Sequence, residues 1–376
     1  MNESRNNGLK EHFSDLPDPR VVGRSDHLLI DIVIIAICAV LCGAEGWEEI
    51  EAFGRSKEGW LRQFLDLPNG IPSHDTFRRV FSLLDAEAFQ ERFSRWVEGV
   101  FGTANGEVVA FDGKALRGSH QGGKGMPHLV SAWAVDSHLI LGQRKVDDKS
   151  NEITALPKLL KELYLKGCIV TIDAMGCQKD IAAQIVDQQA DYVLALKGNQ
   201  ARLLEDVQGW FEWAQARDWR DVPHSFHQTI TKGHGRIEFR RCWALSDPRA
   251  FEMLGHHDGW KGLQSIVMLE RERRSGDTVQ SETAYFISSL PADAAFILRA
   301  TRHHWGIENS LHWTLDITFR EDEARLRAGN SAENFATLRR IAFNLLKRHP
   351  GKDSIKRKRF RAALDHSYLL QLLTQF

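Results

Sequence analysis

The stretch Glu107-Val108-Val109-Ala110-Phe111-Asp112-Gly113-Lys114 decides how this chain is read. Its β-branched and aromatic residues specify a buried strand from Val108 to Asp112, and the run closes on a carboxylate. Cys168-Ile169-Val170-Thr171-Ile172-Asp173 repeats the pattern. Burying a lone carboxylate is expensive, so two apolar strands that each deliver an aspartate point to a shared site. A third acid, Glu308, lies in His303-His304-Trp305-Gly306-Ile307-Glu308-Asn309, which reads as helix. Carboxylates within about 4 Å of one another repel by roughly 4 kcal/mol per pair at an effective dielectric near 20. Such a cluster persists only when protons or cations neutralise it. Oxygen-only donors favour Mg²⁺, with Mn²⁺ able to substitute, over Zn²⁺. Two such ions roughly 3.5–4 Å apart suit in-line displacement at a phosphodiester.

Outward from these strands, the period of the apolar pattern changes twice. Residues 1–103 read as helices at Leu28–Leu41, Trp47–Phe64, Thr76–Leu84 and Ala86–Val100, with Ser73 as a cap. The small, polar run Gly102–Gly106 makes a boundary. Strands at Leu129–Val135 and Leu139–Val146 then form a meander with the first, joined at Asp136-Ser137-His138. Helix Thr154–Leu165, strand Ile169–Asp173, helix Lys179–Gln189, strand Tyr192–Leu196 and helix Ala201–Ala216 follow. That order predicts an α/β fold with a ribonuclease-H-like mixed sheet over 104–376, its acids on the first and fourth strands. Between about 218 and 290 the pattern is β-rich again and predicts an insertion. Ser289 is expected to cap one helix starting near Pro291 and running through Glu308 to Leu315, and Ala332–Lys347 to form the last.

At 376 residues the chain is long enough for two or three domains. Its 49 basic and 50 acidic residues nearly cancel, so net charge does not announce a nucleic-acid partner. A local block does carry basic charge: Arg339, Arg340, Lys347, Arg348, Lys352, Lys356, Arg357, Lys358, Arg359 and Arg361 against Asp353. The 5 cysteines are scattered without a CxxC pair, which fits reduced thiols and a cytoplasmic, nucleoid-associated protein. The polar start lacks a signal-peptide pattern. The apolar run His27–Gly43 is short for a membrane span and is read as a core helix.

His304, Glu308 and His312 stand at i, i+4 and i+8, so a zinc site with His303 nearby is a rival reading of that helix. The order of residues is not HExxH, and contacts to phosphates or bases suit the histidines better, with stacking for Trp305 and Trp313. Lys114, Arg117 and Lys197 read either as phosphate clamps or as exposed turn charges. His234-Gly235-Arg236 reads either as a DNA contact or as a hairpin turn. Asp316, Glu321 and Asp322 are expected to pair with Arg320, Arg325 and Arg327.

Four blocks carry a family resemblance. Phe111-Asp112-Gly113-Lys114-Ala115-Leu116-Arg117-Gly118-Ser119 resembles the first-acid motif of bacterial insertion-sequence transposases of the ISAs type, a group that includes H-repeat-associated proteins. Asp173-Ala174-Met175-Gly176-Cys177-Gln178 is similar to the second, and Asp191 to Gln200 to another characteristic block. The third-acid block runs from Arg302 to Trp313 and on through Asp316, Phe319, Glu321, Asp322 and Arg325. Gly70 to Phe77 resembles a motif of the associated N-terminal domain. The resemblance implies a DDE transposase with Asp112, Asp173 and Glu308 as catalytic, metal-binding acids. Implied DNA contacts include Arg302, His304, Trp305, Asn309 and His312. One departure is local: Thr301, His304 and Leu315 stand where the wider group's Tyr-x2-Arg-x3-Glu-x6-Lys signature has Tyr, Arg and Lys. The implied partners are the inverted-repeat ends of the element, target DNA and a second copy of the chain in a dimer, with no membrane partner. A structure-specific nuclease and a non-catalytic DNA-binding relative are the alternatives.

Overall fold

The computed structural model describes residues 8–21, 23, 25–102, 106–119, 126–146, 152–233, 235–254 and 259–374. His234 lies outside them. The amino-terminal part is helical: α1 (Gly8–Phe13), α2 (Leu29–Leu41), α3 (Trp47–Leu61), α4 (His74–Leu83) and α5 (Ala86–Phe101). Every residue of α2 except Ile30 is buried, as a helix apolar on all sides requires. Its one charge, Asp31, accepts a hydrogen bond from the Leu67 amide at 2.9 Å. No helix among the described residues is long and apolar enough to cross a membrane. Ser73 caps α4 by accepting from the Thr76 amide.

Among the described residues nine strands form one sheet: β1 (Val108–Ala115), β2 (His128–Ala134), β3 (Leu139–Lys145), β4 (Ile169–Ile172), β5 (Asp191–Leu196), β6 (His224–Gly233), β7 (Arg236–Leu245), β8 (Ser265–Ser275) and β9 (Thr278–Ser288). Their order is β3-β2-β1-β4-β5-β9-β8-β7-β6. β1, β4 and β5 run parallel, with helices on both faces. The β-rich insertion is built into this sheet, because β9 pairs antiparallel with β5 from Val193↔Ser288 to Leu196↔Tyr285. Without that pairing β5 would be an open edge.

Alternation along the strands sorts their side chains between two cores. Val109, Phe111, Val170, Ile172 and Leu194 pack under α6 (Glu152–Glu162), α7 (Lys179–Asp187) and α8 (Ala201–Ala216). Val108, Ala110, Ile169 and Val193 face the other way, toward α2, α10 (Ala294–His304) and α12 (Ser331–Arg348). A short helix, α9 (Pro248–Met253), lies between β7 and β8.

Three expectations about the carboxy-terminal third are corrected. The helix after β9 is capped by Asp293, which accepts from the Phe296 amide at 3.0 Å. Ser289 is engaged elsewhere, between the Tyr192 amide and the Asp191 carboxylate. Nor is that helix continuous: α10 ends at His304, a π-helical segment spans Ile307–His312, and α11 is Trp313–Ile317. The last helix of the sequence reading is followed by two more, α13 (Ile355–Leu364) and α14 (His366–Thr374).

Candidate active site

Strand register sets the two aspartates side by side. Phe111 of β1 is the parallel partner of Ile172 of β4, so Asp112, still on β1, and Asp173, the first residue past β4, follow side by side. Asp112 keeps the alternation of Ala110 and so faces the α10 side. Asp112 does not end its strand, as its sequence suggested; β1 continues to Ala115 because β2 still pairs with it. It does sit where the parallel pairing with β4 stops. Asp173 caps a single 3₁₀ turn, Ala174–Gly176, and accepts from the Ala174 amide at 2.6 Å.

Glu308 is exposed on the π-helical segment. Burial pushes the Asp112 carboxyl up to about 7; the Gly113 amide opposes this, while the charges of Glu308, Glu152 and Asp173 add to it. The charges of Glu308 and Asp173 thus reach Asp112, with burial the larger cause of its shift. Burial also acts on Asp173, but the Ala174 amide and the Lys197 ammonium outweigh it and hold that carboxyl below its ordinary value. Lys197 lies 3.1 Å from Asp173. Among the described residues no three His, Cys, Asp or Glu side chains close to metal-ligating distance. The donor set nevertheless suits a hard divalent cation, since all three groups offer oxygen only.

The histidines flank the acids separately, so the zinc reading does not assemble. His304 meets the Thr171 hydroxyl at 3.1 Å on β4, and burial lowers its pKa. His312 comes within 3.5 Å of Asp112. Burial, with the charges of Lys114 and Arg340, pushes it down to about 4, so the imidazole is neutral near pH 7. The π-helical turn between them removes the i, i+4 alignment on which a shared ion would depend.

The basic residues divide. Lys114 is buried, 2.7 Å from Asp316 and 2.6 Å from Asp322, with Glu321 at 3.7 Å. It has no open face for a phosphate and is a structural hub. Glu321, fully buried, also binds Arg340, so the expected pairing of these acids with Arg320, Arg325 and Arg327 is corrected. Arg320 binds Glu45 and Glu323 instead. Arg117 remains exposed beside Asp322 at 3.6 Å. Arg236, Arg302, Trp305 and Asn309 converge with Glu308 on a cleft of about 580 Å³ between the β7–β9 strands and the π-helical segment. Arg240, Arg271 and Arg273 line it too. Arg271 lies over the Trp305 ring, 5.1 Å from its centroid, and Asn309 donates to the Trp305 carbonyl at 3.0 Å.

Sequence reasoning missed several supports of the site. Asn199 donates to the Ala174 carbonyl at 2.7 Å and Gln200 to the Cys177 carbonyl at 2.9 Å, fastening the turn that carries Asp173. Both stand in the block beginning at Asp191, where their amides were the available signal. Glu152, 2.7 Å from His128, gave no signal, because its neighbourhood exists only once α6 packs against β2 and β3.

A mixed sheet in this order, with flanking helices and a helical amino-terminal region, is the architecture of a ribonuclease-H-like transposase. The chain belongs to the DDE transposase family: residues 103–345 match the Transposase DDE domain, and residues 10–97 match the region described as DDE_Tnp_1-associated. It is 40% identical to the "H repeat-associated putative transposase YhhI" of Escherichia coli K12, over 97% of each chain. It is also 40% identical to the "Putative transposase YncI" of Escherichia coli O157:H7, over 97% of this chain and 94% of that one. An "Uncharacterized protein in dhlA 3'region" from Xanthobacter autotrophicus is 46% identical over 76% of this chain and 95% of its own length.

Proposed function

We propose that this chain cleaves DNA at the ends of its mobile element and joins them to target DNA, with Asp112, Asp173 and Glu308 as its catalytic carboxylates. The observation that supports the reading is the register of Phe111 with Ile172, because Asp112 and Asp173 are the residues that directly follow that pair. The three acids would hold Mg²⁺, replaceable by Mn²⁺, as a pair of ions that activates the attacking oxygen and stabilises the leaving one. In each transfer a new P–O bond forms to water or to a 3′-hydroxyl, and the original P–O bond breaks.

The rest of the site positions these groups. Lys197 neutralises Asp173 and stands at the site's exposed rim, where a scissile phosphate would displace it from the carboxylate. Neutral His312 approaches Asp112 without adding positive charge. Arg236 and Arg302 face the arginine-rich cleft beside Glu308, which suits a phosphate backbone, and Trp305 offers a stacking surface. Holding two element ends at once calls for a dimer.

The test uses purified protein, duplex carrying the inverted-repeat end, target DNA and Mg²⁺. Strand-joined products are expected from the native chain. Asp112→Asn, Asp173→Asn and Glu308→Gln should each lower product formation at least about a thousandfold, the scale of losing a main source of charge stabilisation. Unchanged cleavage in these variants would refute the site. Cleavage without joining would identify a nuclease.

A further inference from the structure

The carboxy-terminal basic block is one run in the sequence but two populations in the fold. Lys358 and Arg359 of α13 are buried and turned inward. Lys358 donates to the Leu346 and His349 carbonyls at 2.9 and 2.7 Å, closing the end of α12. Arg359 donates to the Val40 carbonyl at 3.1 Å and to the Thr318 carbonyl. These bonds weld α13 to α12, to the end of α2 and to the residue just past α11. The opposite face is left to solvent: Lys356, Arg357, Phe360, Arg361 and Leu364 are all exposed. Their i, i+1, i+4, i+5, i+8 spacing forms one stripe. Lys352, three residues before the helix, is exposed as well. Phe360 is 68% and Leu364 70% exposed, although large apolar side chains seldom project from a rigid helix without a partner.

We propose that this outer face of α13 is a second duplex-DNA contact, gripping the phosphate backbone away from the cleaved bond. Charge selects the occupant. Three exposed cations, Lys356, Arg357 and Arg361, on a ten-residue helix outnumber the one acid beside them, Asp353 at 3.9 Å from Arg357, and suit a polyanion; a second copy docking the same stripe would set like charges against each other. Arg359 also ties α13 to Thr318, ten residues after Glu308 in the sequence. The proposal rests on the transposase reading only for the identity of the ligand as DNA.

The experiment measures binding of the full chain to a fluorescent duplex without divalent cation, so that catalysis plays no part. The triple variant K352Q/K356Q/R357Q changes only exposed side chains and should keep its thermal unfolding midpoint. The expected result is a log K against log [KCl] slope shallower by about 2 to 3, near 0.9 for each phosphate that is no longer neutralised, equally on end sequence and unrelated sequence. Phe360→Ser with Leu364→Ser should weaken binding while leaving the slope alone. An unchanged slope in the triple variant, with Asp112→Asn still abolishing cleavage, overturns the α13 proposal and leaves the transposase reading standing. A native chain that binds no duplex overturns both. If the Phe360/Leu364 variant turns a dimer into a monomer in sedimentation, the face joins two copies and the proposal is wrong.

Discussion

Lys114 Nζ stands 2.7 Å from Asp316 Oδ1, tying the strand of Asp112 to the helix that follows Glu308. The elements that carry Asp112 and Glu308 are therefore joined by a buried ion pair, with Asp322 and Glu321 closing the cluster. Removing the cation strands three carboxylates, and breaking a buried pair on one side costs about 3–5 kcal/mol. Because Asp316 and Asp322 keep some solvent, the expected loss for Lys114→Met is near the lower end, about 3 kcal/mol. Urea unfolding measures it; a midpoint equal to the native chain's would show that the cluster is not a brace.

Glu321 gives that brace a pH signature. Burial would raise its carboxyl, but the charges of Arg340 and Arg339, the Arg340 hydrogen bond and Lys114 prevail and bring it down to about 2 from an ordinary 4.5. A depressed carboxyl stabilises the fold fully above its unfolded value and loses that contribution as protons bind the unfolded chain. Stability should therefore fall as pH drops from about 4.5 to about 2. Glu321→Gln should be less stable than the native chain at neutral pH and flatter across that window. Parallel pH curves for the two proteins in urea would contradict the assignment.

The sequence revealed the strands and two of the acids because both signals are local: an apolar run and the charge ending it. Glu308 was legible as an acid but not as part of a π-helical turn. Its residues keep helical spacing, with Ile307 and Leu311 both in the core, so nothing in the sequence marks the change of register. The joining of β9 to β5 was not legible either, since it pairs residues about ninety positions apart with no short-range mark. Charge misled most. Arg339, Arg340, Lys358 and Arg359 look like a solvated basic face, yet all four are buried, because the partners that make burial tolerable, Glu321 and backbone carbonyls, come from distant elements.

Two glycines in the first motif should respond differently to alanine. A Cβ on Gly118 would stand 2.6 Å from the backbone oxygens of both Ala324 and Asp322, so the chain itself must move. A Cβ on Gly113 would meet side-chain ends, Glu152 Oε1 and His128 Nε2, which can swing away. Gly118→Ala should cost about 1–3 kcal/mol, the usual range for overpacking, and Gly113→Ala distinctly less. Thermal unfolding of the pair decides it; the reverse order would contradict the close approach at Gly118.

Trp305 and Arg302 line the same cleft but should be separable by salt. The Trp305 ring is 45% exposed with Arg271 over one face, leaving surface for a base. Stacking on an aromatic is worth about 1–3 kcal/mol per base, so Trp305→Ala should weaken single-stranded DNA binding by about tenfold or more. No charge is removed, so the salt slope should stay unchanged. Arg302, exposed at the cleft's edge, would act through phosphate. Arg302→Gln should therefore reduce the slope by about 0.7 on a single strand, with a smaller effect at high salt. Anisotropy titrations over a range of KCl distinguish the two. If Trp305→Ala changes the slope, or Arg302→Gln changes affinity equally at every salt concentration, the cleft does not divide stacking from charge in this way.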